Sequence, residues 1–252
     1  LLFQLNGISK LKDNGRMAII HNGSALFRGS AGSGESEIRR FVIENDWLDA
    51  IIQLPNDVFY NTGISTYVWI IDKDKKRHRQ GRVQLIDASH MYENRRKNIG
   101  SKRVDITEEC RNVIVQAYGD FLNKEYNFGD STAESKIFDN LDFGFNKVTI
   151  ESPLKDEAGN IVLKNKKIQP DTSLRDTEDI PLTEAIEAYF EREIKPFNPE
   201  AWIDKSKTKV GYEIPFTRLF YKYIIPERTE SIALKIKALE ESIVRSFEKL
   251  SG

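Results

Sequence analysis

The chain has 252 residues, 31% of them charged, with 38 Lys and Arg against 39 Asp and Glu. That length allows one large domain or a domain with an appendage, and a net charge of −1 excludes a wholly basic arm or acidic tail, so any nucleic-acid surface must be local. The longest purely apolar run, Tyr67–Ile71, falls far short of the ~20 residues of a membrane span, and Cys110 beside scattered His21, His78 and His90 gives neither a disulfide nor a zinc spacing, so a soluble, cytoplasmic protein without metal is expected.

Residues 1–11 carry Leu, Phe and Ile at helical intervals and run into Lys12-Asp13-Asn14-Gly15, where Asn-Gly predicts a left-handed stop. The chain therefore opens inside an amphipathic helix, without Met, which predicts a piece of something longer. Arg16–His21 is short and almost continuously apolar, the pattern of a strand buried on both faces. After a Gly/Ser loop, residues 35–46 place Ile38, Phe41 and Val42 on one helical face and Arg39, Arg40 and Glu44 on the other, and 47–54 returns to a strand pattern. The 11 residues Pro55–Ser65 are too few for a helical crossover, so the strand predicted at 66–72 should run antiparallel to its predecessor. A further short strand is predicted at 83–86.

Thr107, backed by Glu108 and Glu109, caps a predicted helix that keeps Val113, Ile114, Ala117, Tyr118 and Phe121 on one face. Residues 123–141 are polar and punctuated, whereas Val148–Ile150 and Ile161–Leu163 flank a turn-rich 156–160 and predict a hairpin. Thr183 is the expected cap of a helix bearing Ile186, Tyr189, Phe190 and Ile194 and closed by Pro196; 202–220 is irregular and aromatic. From near Thr229, Ile232, Ile236, Leu239, Ile243, Phe247 and Leu250 form a near-heptad stripe under three heptads long, short for an autonomous coiled coil. Two readings satisfy it: packing onto its own domain or docking on a partner.

The Gly29–Gly34 loop sits between a strand and a helix, but no Lys follows Gly34 and the spacing misses the dinucleotide pattern, so it reads as a flexible connector. Phe59 and Tyr60 stand in a turn-rich loop after the carboxyl end of a strand, where open α/β sheets bind ligands; the alternative is that they pin the loop to the core. Residues 73–82, with Lys73, Lys75, Lys76, Arg77 and Arg79, carry +5, and 93–103, with Arg95 and Arg96, carry +4. Both blocks suit phosphate contacts and equally suit a solvated hairpin tip. Glu108/Glu109 and Glu240/Glu241 read as helix-surface charge, and His21 as a satisfied polar residue rather than a base.

Gly15-Arg16-Met17-Ala18-Ile19-Ile20, Asn22-Gly23, Leu26-Phe27-Arg28-Gly29, Leu54-Pro55, Val58–Ile64 and Ile86-Asp87-Ala88-Ser89 resemble the modification (M) subunit of type I restriction-modification systems. So do Asp142–Phe145, Leu174–Glu178, Tyr189–Glu193 and Lys209–Phe216. The resemblance implies an α/β fold: the C-terminal half of a Rossmann-like class I methyltransferase sheet in 1–90, followed by a mostly α-helical C-terminal region with a small β-hairpin, in which 91–225 is a mixed helical and hairpin extension and 226–252 a partner-binding helix. It implies a DNA adenine-N6 methyltransferase that uses S-adenosylmethionine and works on double-stranded DNA with a specificity subunit and, in the full complex, a restriction subunit. By the same resemblance Phe59, with Tyr60, meets the flipped adenine, and Ile232, Ile236, Leu239, Ile243 and Phe247 engage the specificity subunit.

The family's cofactor loop and Asn-Pro-Pro-Phe-type tetrapeptide precede the segment present here, and the eight prolines of this chain are all separate from one another. No catalytic residue, no tight cofactor binding and no activity of this segment alone are therefore expected. His21 also replaces the family's usual Pro before Asn-Gly. In the methyltransferase strand order the strand at 16–21 should expose an unpaired edge, open to a dimer, a domain swap or an added strand. A different class of function, a non-catalytic module bridging DNA and a partner subunit, accounts for the same basic and apolar surfaces.

Overall fold

The computed structural model describes residues 1–223 and 225–251, with side chains of the last helix through Phe247. The chain divides into a unit Leu1–Phe216 and a unit Thr217–Gly252.

The first unit begins α1 (Leu2–Lys10), β1 (Arg16–Asn22), α2 (Ser24–Phe27), α3 (Gly34–Glu44), β2 (Leu48–Leu54), β3 (Thr66–Asp72) and β4 (Arg82–Asp87). It continues β5 (Glu93–Ile99), β6 (Lys102–Asp105), α4 (Glu108–Asp120), β7 (Lys124–Phe128) and β8 (Ser131–Asp139). Six of these strands form one mixed sheet in the order β1-β3-β2-β4-β8-β7. The short loop after β2 sends β3 back antiparallel, as its length requires, and β3 inserts between β1 and β2. β1 and β2 thus run in the same direction without touching, while β2 and β4 pair in parallel.

β1 ends the sheet, so its expected open edge is present. The strand is not buried on both faces, however: Met17, Ile19 and His21 are half-buried and Ala18 and Ile20 are exposed. An apolar run looks alike at a sheet's centre and at its edge, and only the neighbours decide. α1 also ends differently from expectation. Leu11 turns extended and donates its N–H to the Ile8 carbonyl, and neither Asn14 nor Gly15 is left-handed.

α4 starts at its expected cap, the Thr107 hydroxyl accepting the Cys110 N–H at 3.3 Å. It lays Cys110, Ile114 and Ala117 on Ile52, Ile86 and Met91. The polar stretch after it folds as the β7–β8 hairpin, which the sequence pattern does not announce because few of its side chains (among them Tyr126, Ala133 and Ser135) are buried.

A second sheet centres on β9 (Gly144–Glu151). β12 (Asp176–Pro181) lies along one side of it, and β13 (Trp202–Ile203) and β14 (Lys209–Tyr212) along the other. A two-stranded ribbon, β10 (Leu163–Lys164) with β11 (Lys167–Ile168), lies outside that sheet. The turn at 156–160 forms, the Asp156 N–H donating to the Asn160 carbonyl at 2.9 Å, but Val148–Ile150 pairs with Asp176–Glu178 and not with 161–163. α5 (Ile186–Tyr189) continues as a π-helical turn over Phe190–Ile194 and starts after Ala185; Thr183 lies in the preceding turn and caps nothing. Its apolar side chains nevertheless face Val148, Ile150 and Ile180 as the spacing demands.

The region 91–225 is therefore mainly β, not mostly helical: apart from α4, its α-helices, α5 and α6 (Phe216–Leu219), are four residues long. Strands β7, β8 and β12 are half-solvated, and their many polar residues hide the period-2 alternation. α7 (Thr229–Ser251), in the second unit, begins where the stripe predicted.

Helix α3 buries Val42 and Ile43 together with Arg39, which the helical pattern assigns to the outer face. The Arg39 guanidinium donates to the carbonyls of Tyr212 (2.5 Å), Arg28 (2.9 Å) and Ala25 (3.2 Å), tying β14 to α3. A second buried cation, Arg79, donates to the Asp49 carboxylate at 2.7 Å, to Gln84 and to the Tyr118 carbonyl, and lies 4.1 Å from the Phe121 ring centroid. Asp49 occupies the irregularity in β2 between Leu48 and Ala50 and also accepts the Tyr118 hydroxyl at 2.5 Å. Burial and that bond push Tyr118 up to about 12. Arg79→Ala would leave Asp49 charged and buried without its partner, and should cost about 3–5 kcal/mol. A urea midpoint lowered at unchanged slope reads this, with Arg77→Ala, an exposed neighbour, shifting by about 0.5 kcal/mol or less.

Candidate nucleic-acid interface

β2 and β4 are parallel and end side by side, Gln53 opposite Asp87, so residues 55–65 and 88–92 leave the sheet at the same end. Residues 73–81 leave at the other end, because β3 is antiparallel and about 20 Å long at ~3.3 Å per residue. The two basic blocks of the sequence therefore have different surroundings.

In the first block, Lys75 and Arg79 are buried and unavailable to an external phosphate, contrary to expectation. The Lys75 ammonium donates to Asp46 at 2.6 Å and to the Arg82 carbonyl at 2.7 Å; burial pushes its pKa down against the pull of Asp46. Lys73 is half-buried, its ammonium donating to the Leu11 carbonyl and standing over the Trp47 ring, while Lys76 and Arg77 are exposed. The apolar and carboxylate partners that draw these cations inward are distant in sequence, so charge counting cannot find them.

The second block forms the β5–β6 hairpin, and the hairpin folds onto the aromatic loop. The Ser101 N–H donates to the Tyr60 carbonyl at 2.8 Å and the Arg103 N–H to the Asp57 carbonyl at 2.9 Å. Gly100, at φ 58°, lets the two backbones approach so closely that a Cβ there would collide with the Tyr60 carbonyl. Lys102 places its ammonium 5.4 Å from the Tyr60 ring centroid. Tyr60 is 62% exposed, while Phe59 is half-buried and its backbone bridges to Thr62. Arg95 pairs with Asp105, which also takes Lys102 at 2.9 Å; the bond from Lys102, with Arg95 beside it, holds the Asp105 carboxyl below its usual range. Arg96 is exposed.

Two cavities flank this clamp. An apolar one of about 400 Å³ lies among Leu54, Val58, Val68, Ile106 and Ile114, with Lys102 at its rim. A polar one of about 480 Å³ is lined by Asn56, Ser89, His90, Asn94 and Arg103. Lys102 borders the first and Arg103 the second. The sequence gives His90, Asn94 and Arg103 no role of their own and Ser89 only a place in the family resemblance; the Asn98-Ile99-Gly100-Ser101 turn is the signal that could have placed the hairpin.

His21 is the satisfied polar residue expected, its Nε2 3.1 Å from the Gln4 Oε1, with burial pushing its pKa down. Among the described residues no cluster of His, Cys, Asp and Glu can hold a metal ion, and no helix is long and apolar enough to cross a membrane. In α7 the stripe residues Ile232, Ile236, Leu239, Ile243 and Phe247 are 45–66% exposed; the side chain of Leu250 lies outside the described residues.

The family model of N-6 DNA methylases matches residues 1–154, a span that includes the aromatic loop, the hairpin and both cavities. The chain belongs to the N-6 DNA methylase family. This methylase chain is 35% identical over 112 residues to the MjaIX methylase subunit, a type I restriction enzyme subunit of Methanocaldococcus jannaschii, covering 44% of this chain and 19% of that protein. It is 27% identical over 168 residues to the MpnII methylase subunit of Mycoplasma pneumoniae, covering 66% and 28%. A solved type I methyltransferase subunit from Streptococcus thermophilus aligns with 55% of this chain and 26% of its own, at 28% identity and a TM-score of 0.45. The chain thus spans less than a third of these relatives.

In the glycine-rich loop Ala31 is buried against Gly211 of β14 and Gly29 is closed by Ser33 and Glu35, whereas a Cβ at Gly34 would meet nothing. Gly100→Ala should expose how the hairpin holds the aromatic loop. A left-handed non-glycine residue costs about 1–2 kcal/mol, so the Ser101 and Arg103 amides should exchange roughly tenfold faster while those of β2 and β3 stay unchanged, as read by hydrogen–deuterium exchange.

Proposed function

We propose that this chain is part of the modification subunit of a type I restriction-modification system. In this reading the complete subunit methylates adenine N6 in double-stranded DNA in the cytoplasm, using S-adenosylmethionine and a specificity subunit. The observation that supports the reading best is the clamp itself: an aromatic loop and a basic hairpin joined by backbone hydrogen bonds at the carboxyl ends of β2 and β4.

An adenine inside a duplex cannot present its exocyclic nitrogen to a methyl donor, so it must be extruded and held between flat groups. Phe59 packs against the extruded base, and Tyr60, exposed and flanked by Lys102, extends that surface toward the strand. Arg96, with Lys97 and Lys102 of the same hairpin, neutralises phosphates beside it. S-adenosylmethionine supplies the methyl group in the complete protein; the residues of this chain contribute position, and positioning needs no acid–base pair here. The open edge of β1 accepts a further strand, and the stripe of α7 docks on the specificity subunit.

Phe59→Ala in the complete subunit should lower methylation of a cognate duplex about tenfold or more, with little change in DNA binding, because stacking worth ~1–3 kcal/mol acts once the base is out. Steady-state turnover beside a binding titration reads both, and unchanged turnover would return Phe59 to loop packing and favour a non-catalytic bridging module. Replacing Leu239 and Ile243 with Asp should abolish co-purification with the specificity subunit while leaving cofactor binding by the complete subunit intact. Retained co-purification would remove α7 from that interface.

A further inference from the structure

The polar cavity beside the clamp has no part in the reading above, and most of its lining is neutral and polar. Asn56, Ser89, His90, Tyr92 and Asn94 bring neutral polar groups, and Arg103 a guanidinium. Asp57 is its acidic member, and its carboxylate rests so close to Gly63 that a Cβ there would collide with it, which places the charge against its own loop. Among the described residues, no hydrogen bond or ion pair to another protein group engages the side chains of His90, Tyr92, Asn94 or Arg103. The cavity is also firmly framed. The Ser89 N–H donates to the Asp87 carboxylate at 2.9 Å, and the Arg103 N–H to the Asp57 carbonyl at 2.9 Å.

Neutral donors around one free guanidinium match a singly charged tetrahedral anion, since a planar fork of N–H groups meets two phosphate oxygens at once. The anion is not a free metabolite's, because the cavity shares the Asn56–Tyr60 segment and β6 with an exposed aromatic ring and its cation. We propose that this cavity seats the phosphodiester adjoining the nucleotide whose base enters the aromatic loop. A base swings out by rotation of its own backbone, so a neighbouring phosphate held fixed gives the strand its pivot. The proposal rests on the base-presenting reading of that loop, and adds to it a specific phosphate and the residues that hold it.

The test is a cycle with the complete subunit and its specificity partner bound to cognate duplexes, in which neutral methylphosphonate replaces one phosphate at a time on either side of the target adenine. At one position the replacement should weaken binding by wild type about tenfold and have no further effect on Arg103→Gln, and Arg103→Gln should lower the salt slope of binding by about 1. Arg77→Gln, at the far end of the sheet, should be additive at every position. Additivity of Arg103→Gln everywhere would overturn the proposal. If that variant does not fold, His90→Ala and Asn94→Ala complete the same cycle with the same two outcomes. Phe59→Ala separates the two readings: full turnover in it, with the Arg103 coupling present, would dismiss the base role of Phe59 while the phosphate seat stands.

Discussion

The return of the chain through the 11 residues between β2 and β3 is the constraint on which the rest of the molecule depends. So short a connection cannot carry a helix across the sheet, so β3 must come back antiparallel, and its insertion between β1 and β2 assigns every later connection to one end of the sheet or the other. Residues 55–65 and 88–92 fall at one end, residues 73–81 at the other. Two basic segments that look equivalent as sequence are separated by the length of a strand. The one that reaches the aromatic loop does so through a hairpin.

The far end shows what the first basic segment does instead. Lys75 and Arg79 close the interior where β2 begins irregularly, each facing a carboxylate and a backbone carbonyl. A buried ion pair is weak evidence of net stability, because desolvating both charges offsets most of their attraction. Its effect is directional: only one arrangement of β2, β4 and α4 leaves neither charge alone. Arg39 acts in the same way between α3 and β14, with three carbonyls and no carboxylate. Burial there pushes its pKa down, yet a guanidinium stays charged, so the bond to β14 persists across the accessible pH range.

Elements with one strong pattern were legible in the sequence: α3, α4, α7, β2, β3 and the antiparallel turn between the last two. The failures have common physical causes. β7, β8 and β12 carry many polar side chains because one face meets water, and they are fixed by neighbours that no local window contains. The 148–150 segment reads correctly as a strand, but its partners lie some 30 and 50 residues away, past a nearer apolar segment that seemed the obvious mate. Charge misleads for the same reason. Arg39, Lys75 and Arg79 look solvated because their carbonyl and carboxylate partners are mostly remote in sequence. Phe59 and Tyr60 were visible as a pair, whereas their different exposure and the docking of Gly100 on Tyr60 depend on tertiary approach.

The hairpin carries a consequence that neither cavity shows alone. Among the described residues β5 and β6 pair with each other and with no other strand, so their orientation depends on the loop they grip, and the loop's order depends in turn on them. The grip consists of backbone hydrogen bonds at 2.8 and 2.9 Å with a weaker one at 3.4 Å from Val104 to Asp57. At about 0.5–1.5 kcal/mol each, these set a docking energy of roughly 1–4 kcal/mol. A ligand bound by the hairpin can therefore stabilise the ordered loop by no more than that, and order in the loop favours the ligand to the same extent, because coupling between sites is reciprocal. A strand whose phosphate meets Arg103 and whose base meets Phe59 would draw on both sides of that coupling, which makes backbone capture and base presentation one event and not two.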